Sequence, residues 1–222
     1  MTDGNDDGGR LPVVDRTDVN DREPVRQGSV AGVVLAAGTG SRFGPENKLL
    51  ASLDGTPVVE RTVRTVDRGG LSPLVVVLGH EADRVETALG DVKVGTVYNA
   101  DYEAGQATSV ATGIEAVRDR ADAALIALGD MPLVAVESIR TLVRAYRVGI
   151  GDVLAAGYEG RRGNPVVFDE RYFSDLTTIR GDVGGRRLLL EGDRSILVET
   201  GDPYVRRDVD TPADLESIAT GR

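Results

Sequence analysis

The chain has 222 residues and a formal net charge of −10, which suits one domain with at most a small subdomain and argues against a general nucleic-acid binder. It holds no cysteine and a single histidine, His80, so disulfides, thiolate metal centres, multi-histidine metal sites and a serine–histidine–aspartate triad built elsewhere are excluded. With 41% hydrophobic and 4% aromatic residues the core must come mostly from Val, Leu, Ala and Ile; abundant Asp beside two lysines, Lys48 and Lys93, fits either adaptation to high salt or ordinary acidity.

Residues 1–29 carry Asp3, Asp6, Asp7, Asp15, Asp18 and Asp21 among glycines and polar residues. Such a stretch buries too little apolar surface to offset its ordering entropy. A flexible acidic tail is expected there, with Leu11-Pro12-Val13-Val14 as a short docking segment, ahead of a folded domain over 30–222. No apolar run reaches transmembrane length and the N-terminus lacks a signal-peptide pattern, so a soluble cytoplasmic protein with no membrane partner is expected.

Val33-Val34-Leu35-Ala36-Ala37 is a short apolar run that reads as a buried strand. It stops at Gly38 and Gly40, and Arg42 and Lys48 follow. A strand, a glycine turn exposing backbone N–H groups, and fixed positive charge make a receptor for phosphate. The P-loop pattern fails, because Gly44 is followed by Pro45 and Lys48 by Leu49. The dinucleotide fingerprint fails too, because Gly38, Gly40 and Gly44 are spaced one residue too long. Two cations suit the dense charge of a triphosphate. The plainer alternative is a surface loop that happens to hold two basic residues. A chain with only two lysines that keeps one in this loop tilts toward function.

Pro57 opens a helix with Val58, Val59, Thr62, Val63 and Val66 on one face, ended by Gly69-Gly70. Leu74–Leu78 reads as a strand covered on both faces, followed by a helix over Ala82–Leu89 and a strand over Val92–Tyr98. His80 lies just past the Leu74–Leu78 strand and either faces a ligand or is a surface or structural histidine. Asn99, at a strand's carboxyl end, is either a ligand contact or a turn residue. Ser109 either meets a ligand or, as Thr108 also could, caps the helix that runs to Arg118. Ala123–Leu128 is a buried strand ending in Gly129-Asp130-Met131-Pro132, which puts the Asp130 carboxylate at the same sheet edge as Gly38. Beside a phosphate loop, that carboxylate is a candidate Mg2+ ligand.

Val136–Tyr146 reads as a helix, and Val153–Ala156 and Pro165–Phe168 as strands flanking Arg161 and Arg162, which either meet an anion or are solvated. Gly181-Asp182-Val183-Gly184-Gly185-Arg186-Arg187 suits phosphate and precedes a short helix with Leu188, Leu189 and Leu190. Tyr204–Asp210 reads as a late strand, with Asp208 and Asp210 on one face. Thr211 and Pro212 then open the last helix. Strand–helix alternation throughout argues for a mostly parallel sheet.

Leu35-Ala36-Ala37-Gly38, Ser41-Arg42 and Asn47-Lys48-Leu49-Leu50 resemble the signature of the MobA-like nucleotidyltransferases, most closely their branch of molybdenum cofactor cytidylyltransferases. The resemblance runs from about Val30 onward. Gly129-Asp130-Met131-Pro132 resembles that family's metal motif, Gly163-Asn164-Pro165 its acceptor-side loop, and Asp208-Val209-Asp210-Thr211-Pro212-Ala213-Asp214-Leu215 its ending. The resemblance implies an α/β, three-layer, Rossmann-like nucleotidyltransferase fold with a small β-rich excursion. It implies an NTP held by Leu35, Ala36, Ala37, Gly38, Gly40, Ser41, Lys48, Asn99 and Ser109. Arg42, Lys48 and Asp130 would be catalytic, and Mg2+ would sit on Asp130 with Asp208 or Asp210; Asp208 is preferred because Asp210 adjoins the helix cap.

The implied reaction transfers CMP from CTP to molybdopterin and releases pyrophosphate, with a molybdoenzyme or its chaperone as a downstream partner. The branch that uses GTP usually has Ala-Gly-Gly where this chain has Ala36-Ala37-Gly38. The alternatives are GTP, or a sugar or polyol phosphate acceptor, or a nucleotide-binding protein without transferase activity.

Overall fold

The computed structural model describes residues 11–40, 43–44, 46–179 and 185–220. The chain-order elements are β1 (Val13–Asp15), α1 (Arg16–Asn20), β2 (Val30–Ala36), β3 (Ser52–Leu53), β4 (Thr56–Pro57), α2 (Val58–Arg68), β5 (Leu74–Leu78), α3 (Ala82–Ala88), β6 (Gly95–Tyr98) and α4 (Gln106–Val117). There follow β7 (Ala123–Leu128), α5 (Val136–Arg147), β8 (Val153–Tyr158), β9 (Arg161–Asp169), α6 (Phe173–Thr178), α7 (Arg186–Glu191), β10 (Ser195–Glu199) and α8 (Pro212–Thr220).

Eight strands form one sheet in the order β1-β10-β8-β9-β7-β2-β5-β6. Only β9 runs against the rest, paired antiparallel to both β7 and β8. The continuous apolar runs of β2 and β7 are buried because helices cover both faces. One layer packs α1, α2, α3 and α5 through Val19, Val63, Val85 and Leu142; the other packs α4, α6 and α7 through Ile114, Leu176 and Leu189. This is the three-layer, mostly parallel α/β architecture expected, with β3–β4 as a small antiparallel excursion. Helix α2 buries the five residues its periodicity marks, Val58, Val59, Thr62, Val63 and Val66. Among the described residues no helix is long and apolar enough to cross a membrane.

Two segments depart from expectation. Residues 11–29 are not a flexible tail. Val13–Asp15 adds a parallel edge strand to β10, so the short docking segment lies in the sheet. Asp15 caps α1 through Thr17 N at 2.9 Å, and Val19 is fully buried. The Arg144 guanidinium donates to the carbonyls of Val19, Asn20 and Arg22. A low average of apolar residues hides the few that anchor: one buried valine and a set of specific hydrogen bonds suffice to dock the arm.

The second departure is Tyr204–Asp210, which is not a strand. Asp202 accepts from Tyr204 N at 2.9 Å and Pro203 sets the next backbone angle, so Pro203–Arg206 winds into a 3-10 turn. The strand in this region is β10, Ser195–Glu199, paired with β8.

Candidate active site

In an open α/β sheet, ligands sit beyond the carboxyl ends of the strands where the strand order reverses. From β2 the chain builds outward to β5 and β6, then returns to lay β7 on the other side of β2. The turns after β2 and β7 therefore meet. Gly129 N donates to Leu35 O at 2.9 Å, and a Cβ at position 129 would stand 2.9 Å from that oxygen, so a glycine is needed for the approach. Thr62 Oγ1 donates to Gly129 O at 3.0 Å, which ties this turn to α2.

The next residue, Asp130, faces the glycine loop. Gly40 has φ 58°, and the stem of Lys48 lies against it, 3.2 Å from where a Cβ would be. Asn47 accepts from Leu49 N at 3.1 Å and starts the short 3-10 turn that carries Lys48. The Lys48 Nζ then reaches Asp130 Oδ2 at 2.6 Å and Asp210 Oδ1 at 2.9 Å.

Asp208 and Asp210 arrive from the far end of the chain. Val209 N donates to Asp130 O at 2.9 Å, and the Val209 side chain is buried with Phe43, Leu53 and Ile218. With Val209 turned inward, its two neighbours flank Asp130. Carboxylate oxygens of Asp130, Asp208 and Asp210 lie within 4.8 Å of one another. The i, i+2 spacing thus brings the pair together without a strand. Behind them Thr211 and Asp214 cap α8 reciprocally, with Thr211 N donating to Asp214 Oδ2 at 2.7 Å and Asp214 N to Thr211 Oγ1 at 3.2 Å.

The electrostatics follow from burial. Burial raises the Asp130 carboxyl above the usual carboxylate range, Lys48 opposes the rise, and Asp208 adds to it. Burial also works against the Lys48 ammonium, but Asp130 and Asp210 together hold it above the usual lysine range. Asp130 Oδ1 is buried with no hydrogen-bond partner among the described residues.

Two connected cavities open at this edge. One, of about 210 Å³, is lined by Ala37, Gly38, Gly40, Lys48, Tyr102 and Asp130, with Ser109 at its wall. The other, of about 270 Å³, has Arg162 and Asn164 over an apolar floor that includes Val110, Val166 and Phe168. Leu35, Gln106 and Leu128 line both. Ala36, the last residue of β2, is buried in the core with Val59 and Val63 of α2 and is not among the residues that line either cavity.

Asn99 is committed to its turn. Its Nδ2 donates to Thr108 Oγ1 and Ser109 Oγ, each at 2.9 Å, and its Oδ1 accepts from Asp101 N at 3.0 Å. It holds the start of α4 in place, and Ser109 rather than Asn99 reaches the cavity wall. Neither Thr108 nor Ser109 is the helix cap, which is Gly105 at φ 107°. His80 N donates to Ala37 O at 3.1 Å, and its ring stands 6.2 Å from that of Tyr102. Tyr102, Gln106 and Leu128 were not among the sequence candidates; the signal was Gly105, whose backbone aims α4 at the site. Ser41, Arg42 and residues 181–184 with Asp182 lie outside the described residues, while Gly185 lines the second cavity.

Comparison with known proteins agrees with this architecture. Residues 32–195 match the family model of the MobA-like NTP transferase domain. The nicotine blue oxidoreductase of Paenarthrobacter nicotinovorans is 31% identical over 82% of this chain and 92% of its own length. A nucleotidyl transferase from Methanothermobacter thermautotroptrophicus superposes with a TM-score of 0.75 at 27% identity, covering 87% of this chain and 97% of that one. Rv0371c of Mycobacterium tuberculosis, in complex with manganese, superposes with a TM-score of 0.73 at 26% identity, covering 87% of this chain and all of that one. By its sequence and its fold, the chain is a nucleotidyltransferase and belongs to the MobA-like NTP transferase domain family.

Proposed function

We propose that this nucleotidyltransferase transfers CMP from CTP to the terminal phosphate of molybdopterin and releases pyrophosphate. The observation that carries the proposal is Lys48, at the wall of the first of the two connected cavities, set among Asp130, Asp208 and Asp210. The donors suit a hard divalent cation, Mg2+ in this reading: three carboxylates converge, and Asp130 Oδ1 is buried without a hydrogen-bond partner among the described residues. Asp130 with Asp208 or Asp210 would hold it, and when bound it offsets phosphate charge and favours in-line geometry.

The chain's own groups do the rest. Backbone N–H groups at Gly38 and Gly40 receive the triphosphate, and Lys48 neutralises charge that grows as pyrophosphate leaves; Arg42 is assigned the same task. No general base is required, because a phosphate nucleophile is already ionised. Arg162 above an apolar floor with Phe168 suits an acceptor that joins a flat ring to an anionic group, which favours a pterin over a sugar or polyol phosphate. A hydride-transfer role, as the name of the Paenarthrobacter relative suggests for that protein, has less support here: the glycine spacing lacks a dinucleotide fingerprint, and three converging carboxylates suit phosphate chemistry.

The test is pyrophosphate release from each of the four NTPs across a panel of phosphorylated acceptors that includes molybdopterin. Release specific to CTP and molybdopterin is expected. Release with a sugar phosphate instead would replace the acceptor, and no release with any pair would overturn the reading.

A further inference from the structure

The reaction must take place where the two cavities join, because the nucleotide phosphates belong beside Lys48 and the acceptor beside Arg162. Of the three residues lining both cavities, Leu35 and Leu128 are apolar. Gln106 is the third, and it carries the only polar side chain of the three. It is exposed, and its amide makes no hydrogen bond among the described residues. Its backbone is also specific. Gln106 is the first residue of α4, and Gly105 before it supplies no side-chain cap. The uncapped end of a twelve-residue helix carries partial positive charge toward the same junction.

Resting on the proposed transfer, we infer that Gln106 is the residue that positions the attacking phosphate of the acceptor. An amide suits this place better than an ammonium or guanidinium. It donates a hydrogen bond to one phosphate oxygen and orients the group, yet carries no charge to draw electron density from the oxygen that attacks. In the step, an acceptor phosphate oxygen forms a bond to the α-phosphorus of the NTP while the α–β phosphoanhydride bond breaks. The electron pair of that bond leaves with pyrophosphate, and no proton need move. Gln106 takes no part in bonding; it fixes the angle of approach. The neighbouring Ser109 is turned toward Asn99, and Tyr102 lines the nucleotide cavity alone, so neither offers a second polar group at the junction.

The experiment compares wild type, Gln106→Leu and Gln106→Glu in pyrophosphate release with CTP and molybdopterin. Both variants should keep the circular dichroism and melting temperature of wild type, because the side chain is exposed and unpaired. Gln106→Leu should lower kcat about ten- to a hundredfold, the worth of one hydrogen bond to a charged group, with the KM for CTP unchanged within about twofold. Gln106→Glu keeps the size but opposes an anionic acceptor, so it should lower kcat/KM for the acceptor further than Leu does. Near-normal turnover in Gln106→Leu, a loss confined to the KM for CTP, or a Glu variant no worse than Leu would each overturn the inference while leaving the transfer reading intact. Wild-type protein inactive with every acceptor would overturn both.

Discussion

Lys48 Nζ lies 2.6 Å from Asp130 Oδ2, and the same ammonium reaches Asp210 Oδ1 at 2.9 Å. The phosphate-loop lysine therefore stands among the carboxylates assigned to the cation. Three carboxylates this close repel one another, and a positive charge must sit between them. The ammonium fills that need in the chain as it stands, so under the proposed function nucleotide, cation and Lys48 would be coupled through one cluster.

Replacing Lys48 by Met separates these roles. Turnover should fall about a hundredfold or more, because charge on the departing pyrophosphate loses its partner. Mn2+ binding to nucleotide-free protein should tighten, since no ammonium competes for the carboxylates. Electron paramagnetic resonance titration of free Mn2+ measures it. Unchanged Mn2+ affinity would show that lysine and metal do not share the site, and near-normal turnover would remove Lys48 from the chemistry.

Asp130→Asn removes a charge whose burial already disfavours it. Divalent-metal-dependent turnover should be lost, while the melting temperature without ligand stays within a few degrees of wild type, because the amide keeps the shape and one repulsive carboxylate is gone. A metal titration of activity that matches wild type would take Asp130 out of the metal site.

Much of this site was legible because its strands are continuous apolar runs that stop at glycine. Val33–Ala37 and Ala123–Leu128 read as buried strands whose ends put Gly38 and Asp130 at one sheet edge, and the structure pairs them directly. Asp208 and Asp210 were paired on a wrong premise, a strand, that led to a right neighbourhood; the buried Val209 between them does what alternation on a strand would have done. Tyr102 and Gln106 stayed hidden because their role depends on the angle at which Gly105 launches α4, a tertiary property. The docked N-terminal arm stayed hidden because its anchors are single contacts in an acidic background, where average composition speaks for disorder.

Deleting residues 2–28 accordingly should destabilise the protein by about 3 kcal/mol or more, from loss of the buried Val19 and of the Arg26 ion pairs. Urea unfolding followed by circular dichroism reads the change in midpoint. A truncated chain with wild-type stability would mean that the β1–β10 pairing contributes nothing.

Arg26 belongs to a cluster at the base of β8 and β9. Buried Asp152 receives Arg26 Nη2 at 2.6 Å, Arg171 Nη1 at 2.7 Å and Arg194 Nε at 3.1 Å. Arg26 also stacks 4.5 Å over the Tyr146 ring, whose hydroxyl donates to Asp169 at 3.0 Å. Asp152→Ala removes the buried carboxylate that three arginines share, although Arg26 and Arg171 keep Asp169, and should cost about 2–3 kcal/mol. Arg194 is half exposed, so Arg194→Ala should cost under about 1 kcal/mol. Equal losses in the two variants, read by chemical denaturation, would refute the contrast.

Under the proposed function, the choice of base is expected to turn on a single methyl. Ala37 lines the first cavity, the one assigned to the nucleotide under the proposed function, and is only 2% exposed, so its Cβ is packed into the wall. The neighbour that makes room is Gly79, where a Cβ would stand 2.7 Å from that of Ala37. That Cβ would also stand 2.7 Å from the Cβ of Tyr102 and 2.8 Å from Ala37 O, so the turn after β5 needs a glycine whatever stands at 37. A wall stiffened by that methyl narrows the space beside the base and suits a single-ring pyrimidine over a purine. Discrimination by one small group is worth about 1–3 kcal/mol, roughly tenfold or more in specificity. CTP should therefore exceed GTP in kcat/KM by about that factor, and Ala37→Gly should relax the ratio toward GTP. A wild-type preference for GTP would place the chain with the guanylyl branch and remove Ala37 as the determinant, because the wall would then admit the larger base with its methyl in place.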